Sequence, residues 1–266
     1  SCDVYYYEVA QRTGIDKLAA MARRLGIGVR FDLPMSAISE GLAPDKEWKA
    51  RKYGTGWLIG DTLNSGIGQG FVLASPLQLA VMTARIATGK AIMPRLLRAI
   101  DGQELAVEPA ADLGIDPAWL AHVRKGMFDV TNSRRGTAYG SRIVDDTMRM
   151  AGKTGTSQVR NITAAERARG VVSNEDLPWN RRDHALFVCF APFDTPRYAV
   201  ALVVEHGGGG SLAAAPIARD IVLYAMNGGM PALTAYPESQ RTRIESEREK
   251  LKILEPGTTD ATRSRA

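Results

Sequence analysis

Along the first 145 residues, apolar positions recur at helical spacing in three places. In "DKLAAMARRL", residues 16 to 25, Leu18, Met21, Ala22 and Leu25 share one face; Asp16 is placed to cap the start and Gly26 to end it. A second helix is expected from "SPLQLAVMTARIATG", with Ser75 as N-cap, Pro76 in the first helical position and Gly89 at the exit. A third is expected from about Pro117 to Val130, with Leu120, Val123 and Met127 on one stripe. Residues 30 to 70 are rich in glycine, proline and aromatics and read as irregular. After residue 145 the period shortens to two. "TMRMAGKTGTSQV", "HALFVCFAPF" and "RYAVALVVEHG" each read as strands, and "FDTPR" is short enough to join the last two as an antiparallel hairpin. "SLAAAPIARDIVLYAM" reads as a closing helix that Pro216 kinks or restarts.

This order of helices, antiparallel sheet and helix is an α/β arrangement with segregated parts. It divides the chain into residues 1–228, of which 1–145 are mainly helical and 146–228 carry the strands and closing helix, and a polar tail, 229–266. The tail is expected to be mobile, with one weak helix around "IESEREKLKIL".

Composition narrows the function. With 45% apolar residues in 266, the chain can bury a core. The net charge of +5 comes without a lysine-rich arm or an aromatic-interleaved basic stripe, so nucleic acid is not an expected partner. Two cysteines, Cys2 and Cys189, make no disulfide framework. No apolar run approaches 18 residues, and no signal peptide is visible. The opening "SCDVYYYEVA" lacks an initiator methionine and reads as the middle of something longer.

The candidate chemistry centres on "AGKTGTSQV". A lone strand lysine is ordinarily a solvated edge residue. Here Thr154 and Thr156, two apart, share one face of a strand, while Lys153 and Gly155 take the other. Hydroxyls beside a glycine that removes steric cover suit an extended peptide and its carboxylate. The Ser1-Cys2-Asp3 triplet would alone be read as a helix cap. "GIGQG" lacks the Lys-Ser/Thr of a phosphate loop and reads as a tight turn behind a helix. His122, His184 and His206 show no metal spacing; His184 is placed to pair with Asp183. Tyr5, Tyr6 and Tyr7 read as core plus rim, and Cys2 and Cys189 as small buried hydrophobes.

Read together, "SCDVYYYEVAQRTGIDKL", "GDTLNSGIGQGFVLASPLQLA", "NSRRGTA", "AGKTGTSQV" and "RDHALFVCFAP" stand in the order found in class B penicillin-binding proteins, and the chain resembles the elongation-type members of that family over residues 1 to about 228. The resemblance implies a serine β-lactamase-like transpeptidase fold, an antiparallel sheet with flanking helices and a helical subdomain, incomplete here. It implies a D,D-transpeptidase that cross-links peptidoglycan stem peptides through a serine acyl-enzyme, at the periplasmic face of the bacterial inner membrane, alongside a SEDS-type glycosyltransferase and the elongation complex. D-Ala-D-Ala stem peptides and β-lactams would be its ligands.

On the same resemblance, Ser1 would relay a proton to the leaving amine and Asp3 would bind the substrate amide. Lys153 would hold positive potential, and Thr154, Gly155 and Thr156 would form the substrate strand. The hydroxyls of Thr154 and Thr156 would grip the terminal carboxylate, and the Thr156 N–H would form half of the oxyanion hole. No cofactor is required; in some relatives with cysteine in the first triplet it ligates zinc with upstream Asp and His partners, which makes Cys2 a candidate metal ligand in the intact protein. The family's nucleophile motif, serine with lysine three residues on, occurs nowhere in this sequence. The chain is therefore expected to be inactive alone. A penicillin-recognising hydrolase and a non-catalytic interaction module remain alternative readings.

Overall fold

The computed structural model describes residues 2–160 and 162–251. Two helices open the chain, α1 (Asp3–Thr13) and α2 (Ile15–Leu25), separated by Gly14. The α2 chain leaves through Gly26 in the left-handed region, as its position predicts (φ 105°). Residues 30 to 70 are not wholly irregular. They contain α3 (Lys46–Tyr53) and α4 (Ile59–Gly66). Helix α3 has no apolar stripe and α4 spans only about two turns, so no helical period shows. Capping makes up for it: Asp45 Oδ1 accepts from the Trp48 N–H at 2.8 Å, and Gly54 closes α3 at positive φ.

Helix α5 (Pro76–Thr88) follows the expected boundaries. Ser75 Oγ accepts from the Gln78 N–H and Gln78 Oε1 accepts from the Ser75 N–H, a reciprocal capping box. Gln78 is completely buried, and its amide nitrogen donates to the Val29 and Glu40 carbonyls. One side chain thus fastens the irregular stretch to α5. A short hairpin, β1 (Ala99–Ile100) with β2 (Gln103–Glu104), precedes α6 (Pro117–Asn132). In α6 the buried positions are Met127 and Thr131; Val123 is exposed, so the stripe is rotated from the expected one.

The main sheet is β3 (Ala151–Ser157), β4 (His184–Ala191) and β5 (Tyr198–Val204), antiparallel, in the order β3-β4-β5. A small helix, α7 (Ala164–Arg169), lies between β3 and β4. The period of two sorts β4 between two cores. Ala185, Phe187, Cys189 and Ala191 join Met150 and the closing helix α8 (Ala215–Asn227); Phe190 joins Ala151, Ala87 of α5 and Met127 of α6. Cys189 is buried as expected, and burial pushes its thiol up to about 12. A wide π turn, Gly210–Ala214, leads into α8, and Pro216 sits in its first turn, where the missing N–H costs nothing. No helix among the described residues is long and apolar enough to cross a membrane.

Two expectations are corrected. Tyr5 and Tyr6 are exposed; α1 packs through Ala10 instead. Beyond residue 228 the described chain is not a loose tail. Helix α9 (Glu238–Glu249) docks on the core, with Tyr236 2% and Ile244 4% exposed. Polar anchoring explains why apolar content alone concealed it. The buried Arg219 guanidinium stacks 4.7 Å from the Tyr236 ring and donates to Gln240 Oε1 at 2.7 Å. The weak helix expected there exists through Glu249; residues 252–266 lie outside the described part. Ile244→Ala should therefore lower unfolding free energy by about 2–5 kcal/mol. The neighbouring exposed Glu245→Ala should change it by less than about 0.5 kcal/mol. Urea unfolding of the two variants measures the difference, and equal midpoints would return α9 to a tail.

Candidate active site

β3 is the outer strand of its sheet, so one of its edges faces away from β4. That edge is where the candidate residues meet. Just before the strand, the Met150 carbonyl accepts from Thr131 Oγ1 at 2.6 Å and Asn132 Nδ2 at 2.9 Å, both at the end of α6. Two residues past Gly152, the Thr154 carbonyl accepts from Lys153 Nζ at 2.7 Å. Two further on, the Thr156 carbonyl accepts from Gln69 Nε2 at 2.9 Å. All three carbonyls are an even number of residues apart and reach partners off the sheet. In an antiparallel strand the N–H and C=O of one residue point to the same edge. The Thr156 N–H therefore faces the open edge too, by the same rule that sends its carbonyl to Gln69.

The side chains alternate as expected. Thr154 and Thr156 share the face of Met150; Lys153 shares the face of Ala151, toward α5 and α6. Thr154 Oγ1 lies 3.0 Å from Thr137 Oγ1, in the "NSRRGTA" loop after α6. Thr156 is exposed. Burial pushes the Lys153 ammonium below the ordinary lysine range, and the Asp3 carboxylate opposes that shift. Asp3 is the first residue of α1 and is exposed; its charge is felt at Lys153. Ser1 lies outside the described residues. Cys2, at the N-cap position of α1, is exposed rather than buried. No group of three His, Cys, Asp or Glu side chains able to hold a metal occurs among the described residues, so the residues present around Cys2 do not by themselves fit zinc.

Small residues let the chain pack closely behind this edge. A Cβ on Gly152 would meet Phe187 Cζ at 2.4 Å and the Val188 carbonyl at 2.7 Å. A Cβ on Gly210, in the turn before α8, would meet the Leu186 and Gly155 carbonyls at 2.3 and 2.7 Å. The "GIGQG" segment is the tight turn expected of it. A Cβ on Gly66 would lie 2.3 Å from the Ala10 Cβ, so α4 is pressed against α1. The next residues reach β3, a role for Gln69 that the sequence reading missed. Phe71, just after the turn, sits in an aromatic group with Trp48, Tyr53 and Trp57. Lys49, 7% exposed, donates to the Asp61 carboxylate beneath these rings. His184 does not pair with Asp183: its Nδ1 accepts from the His206 N–H at 2.9 Å, while Asp183 accepts from the Val159 N–H and Asn174 Nδ2.

Comparison with known proteins decides the family. The family described as penicillin binding protein transpeptidase domain matches residues 1–223. The chain belongs to that family. Over 262 residues the transpeptidase domain is 35% identical to the peptidoglycan D,D-transpeptidase MrdA of Haemophilus influenzae, covering 94% of this chain and 39% of that protein. The MrdA of Acinetobacter baumannii is 38% identical over 227 residues, 82% of this chain and 32% of that protein. The chain thus spans less than two fifths of these relatives. Among solved structures, Pseudomonas aeruginosa PBP2 in complex with WCK 5153 superposes with a TM-score of 0.70 at 38% identity, over 88% of this chain and 50% of that one. Helicobacter pylori PBP2 in complex with MreC gives 0.69 at 33%, over 85% and 39%. The expected penicillin-binding protein fold is the one observed.

The Lys49–Asp61 pair under the aromatic group carries the prediction from this part of the domain. Burial raises the Asp61 pKa, but hydrogen bonds from Lys49 and the Leu58 N–H outweigh it and leave the carboxyl below its ordinary range. Lys49→Ala leaves the half-buried carboxylate with only the Leu58 N–H and should cost about 1–3 kcal/mol at neutral pH. A depressed carboxyl stabilises above its unfolded pKa and loses that contribution as pH falls through the folded one. The gap between wild type and variant should therefore narrow on acidification. Urea midpoints across the acid range check it, and a gap that is constant or widening excludes the assignment.

Proposed function

We propose that this chain carries the carboxylate-gripping and proton-relaying half of a peptidoglycan D,D-transpeptidase of the elongation type, whose serine nucleophile belongs to a segment other than these residues. The observation that supports it most is the open edge of β3, with Lys153, two threonine hydroxyls and an outward N–H brought together within four residues, opposite the start of α1. In this reading the enzyme's serine attacks the penultimate D-alanine carbonyl of a stem peptide. The Thr156 N–H stabilises the oxyanion, a donor worth about 2.7–4 kcal/mol of barrier. Thr154 and Thr156 hold the terminal carboxylate on the strand that Gly155 leaves uncovered. Lys153, with a depressed pKa, supports proton transfer through Ser1 to the leaving D-alanine, and Asp3 binds the substrate amide. An amine of a neighbouring strand then accepts the acyl group. β-Lactams would acylate the same serine.

The working site would be the periplasmic face of the inner membrane, with a SEDS-type polymerase and elongation partners, in line with the PBP2–MreC complex of Helicobacter pylori. Zinc on Cys2 would need ligands that the described residues do not provide.

Two measurements test this. First, residues 1–266 incubated with benzylpenicillin should show no covalent adduct by mass spectrometry, since no serine has lysine three residues later; a stoichiometric acyl-serine would defeat the reading. Second, in the longer enzyme Thr156→Val keeps the N–H and removes the hydroxyl. It should weaken carboxylate-bearing ligands by about 1.5–3 kcal/mol, roughly ten- to a hundredfold. Unchanged acylation kinetics would take Thr156 out of the site. The pH profile adds a sign. Asp3 raises the Lys153 pKa, so Asp3→Asn should move the ionisation that Lys153→Ala abolishes to lower pH; a shift upward contradicts the pairing.

A further inference from the structure

Gln69 belongs to no motif assigned a chemical role above, yet its side chain crosses 87 residues of sequence to reach the candidate strand. The turn around it is built to do this. Gly68 and Gly70 both take positive φ, 77° and 71°, conformations that L side chains rarely adopt. The N–H groups of Ile67 and Gln69 both bond the Asn64 carbonyl, at 3.3 and 2.9 Å, and the Gly68 N–H bonds the Ser65 carbonyl at 3.0 Å. The turn is therefore fastened to the end of α4, and α4 is seated on α1 through Gly66 and Ala10. The partner is a carbonyl, so the amide must present its NH2 end.

We infer that Gln69 is a positioning residue for the oxyanion donor of β3: by holding the outward carbonyl of Thr156, it fixes the strand edge from which the Thr156 N–H points. This rests on the function proposed above. An edge strand has no neighbour to hold its outer peptide groups, and its end frays unless something else binds them. The α6 end does this at Met150, and Gln69 does it at Thr156. The donor must meet a charge that exists only in the transition state, and a displacement of about 1 Å at such a contact can cost about a hundredfold in rate. Because α4 also carries α1, the same turn sets the spacing between the start of α1, where Asp3 lies, and the β3 edge.

The test uses the longer enzyme with its nucleophile. Gln69→Ala removes the bond without adding charge; Gln69→Glu sets a carboxylate against the Thr156 carbonyl. Stopped-flow acylation by benzylpenicillin, normalised to active sites by the acylated amplitude, separates noncovalent binding from the acylation rate constant. A donor that acts only in the transition state predicts that both variants lose about tenfold or more in the rate constant, with binding changed by less than about twofold. Gln69→Asn, which keeps an amide on a shorter arm, should fall between Ala and wild type. Normal acylation in the Ala and Glu variants, while Lys153→Ala is inactive, overturns the inference and leaves the site reading standing. A change confined to binding overturns it as well. Normal acylation in Lys153→Ala overturns the site reading and the inference together. Since rates are taken per acylated site, loss of folded enzyme cannot imitate the expected result.

Discussion

An edge strand has two sides, and only one of them is paired. β3 gives its inner edge to β4, and its outer edge must be satisfied by other means. Three groups from different parts of the chain take its outward carbonyls at two- or four-residue intervals: the end of α6, the strand's own lysine, and the amide of Gln69. Once those carbonyls point outward, the companion N–H groups must as well, because the pleat allows no independent choice. The orientation of the candidate oxyanion donor is thus a consequence of where β3 stands in the sheet. The glycines serve the same constraint from behind: Gly152 makes room for the Phe187 ring, and Gly210 lets the turn before α8 lie on the ladder at Gly155.

Around this edge the helical half is tied together by buried polar side chains as well as apolar ones. Gln78 joins the capping box of α5 to the Val29 and Glu40 carbonyls. Arg85, largely buried, donates to the Arg24 and Ile92 carbonyls. Lys49 holds Asp61 under the aromatic group beside the Gln69 turn. Each such group is costly if stranded and close to neutral when fully bonded. They therefore add little net stability but make alternative arrangements expensive, which suits a region that must keep α1 at a fixed distance from β3.

Much of this could be read in the sequence where local rules govern. Ser75, Pro76 and Gly89 marked α5, short apolar runs joined by a turn marked β4 and β5, and the spacing of Thr154 and Thr156 put both hydroxyls on one face. The rest depended on contacts between distant residues. Helix α3 has no apolar stripe and α4 is only about two turns long, so neither showed a period; α9 is polar except for single anchors, so a weak helix could be expected there but not its docking. Tyr5 and Tyr6 read as partly buried because aromatics usually are; the packing surface of α1 turned out to be the small Ala10. His184 was paired with its neighbour Asp183, while its bond runs to His206 across the β4–β5 ladder. Gln69 and Thr137 could be glimpsed only as polar residues next to glycines. Which carbonyl or hydroxyl they would meet is a fact about sheet edges, not about neighbouring letters.

The contact between α9 and the loop after α6 has a consequence in time. Gln240 Nε2 donates to the Gly140 carbonyl at 2.6 Å, across 100 residues, and Gly140 is three residues from the threonine that meets Thr154. Protein synthesis adds about 5–20 residues per second, so that loop leaves the ribosome about 5–20 s before the side chain that fastens it exists. During that interval the strands can pair and the closing helix can dock, but the Gly140 carbonyl still lacks its bond from α9. The loop beside Thr154 therefore gains its bond from α9 late.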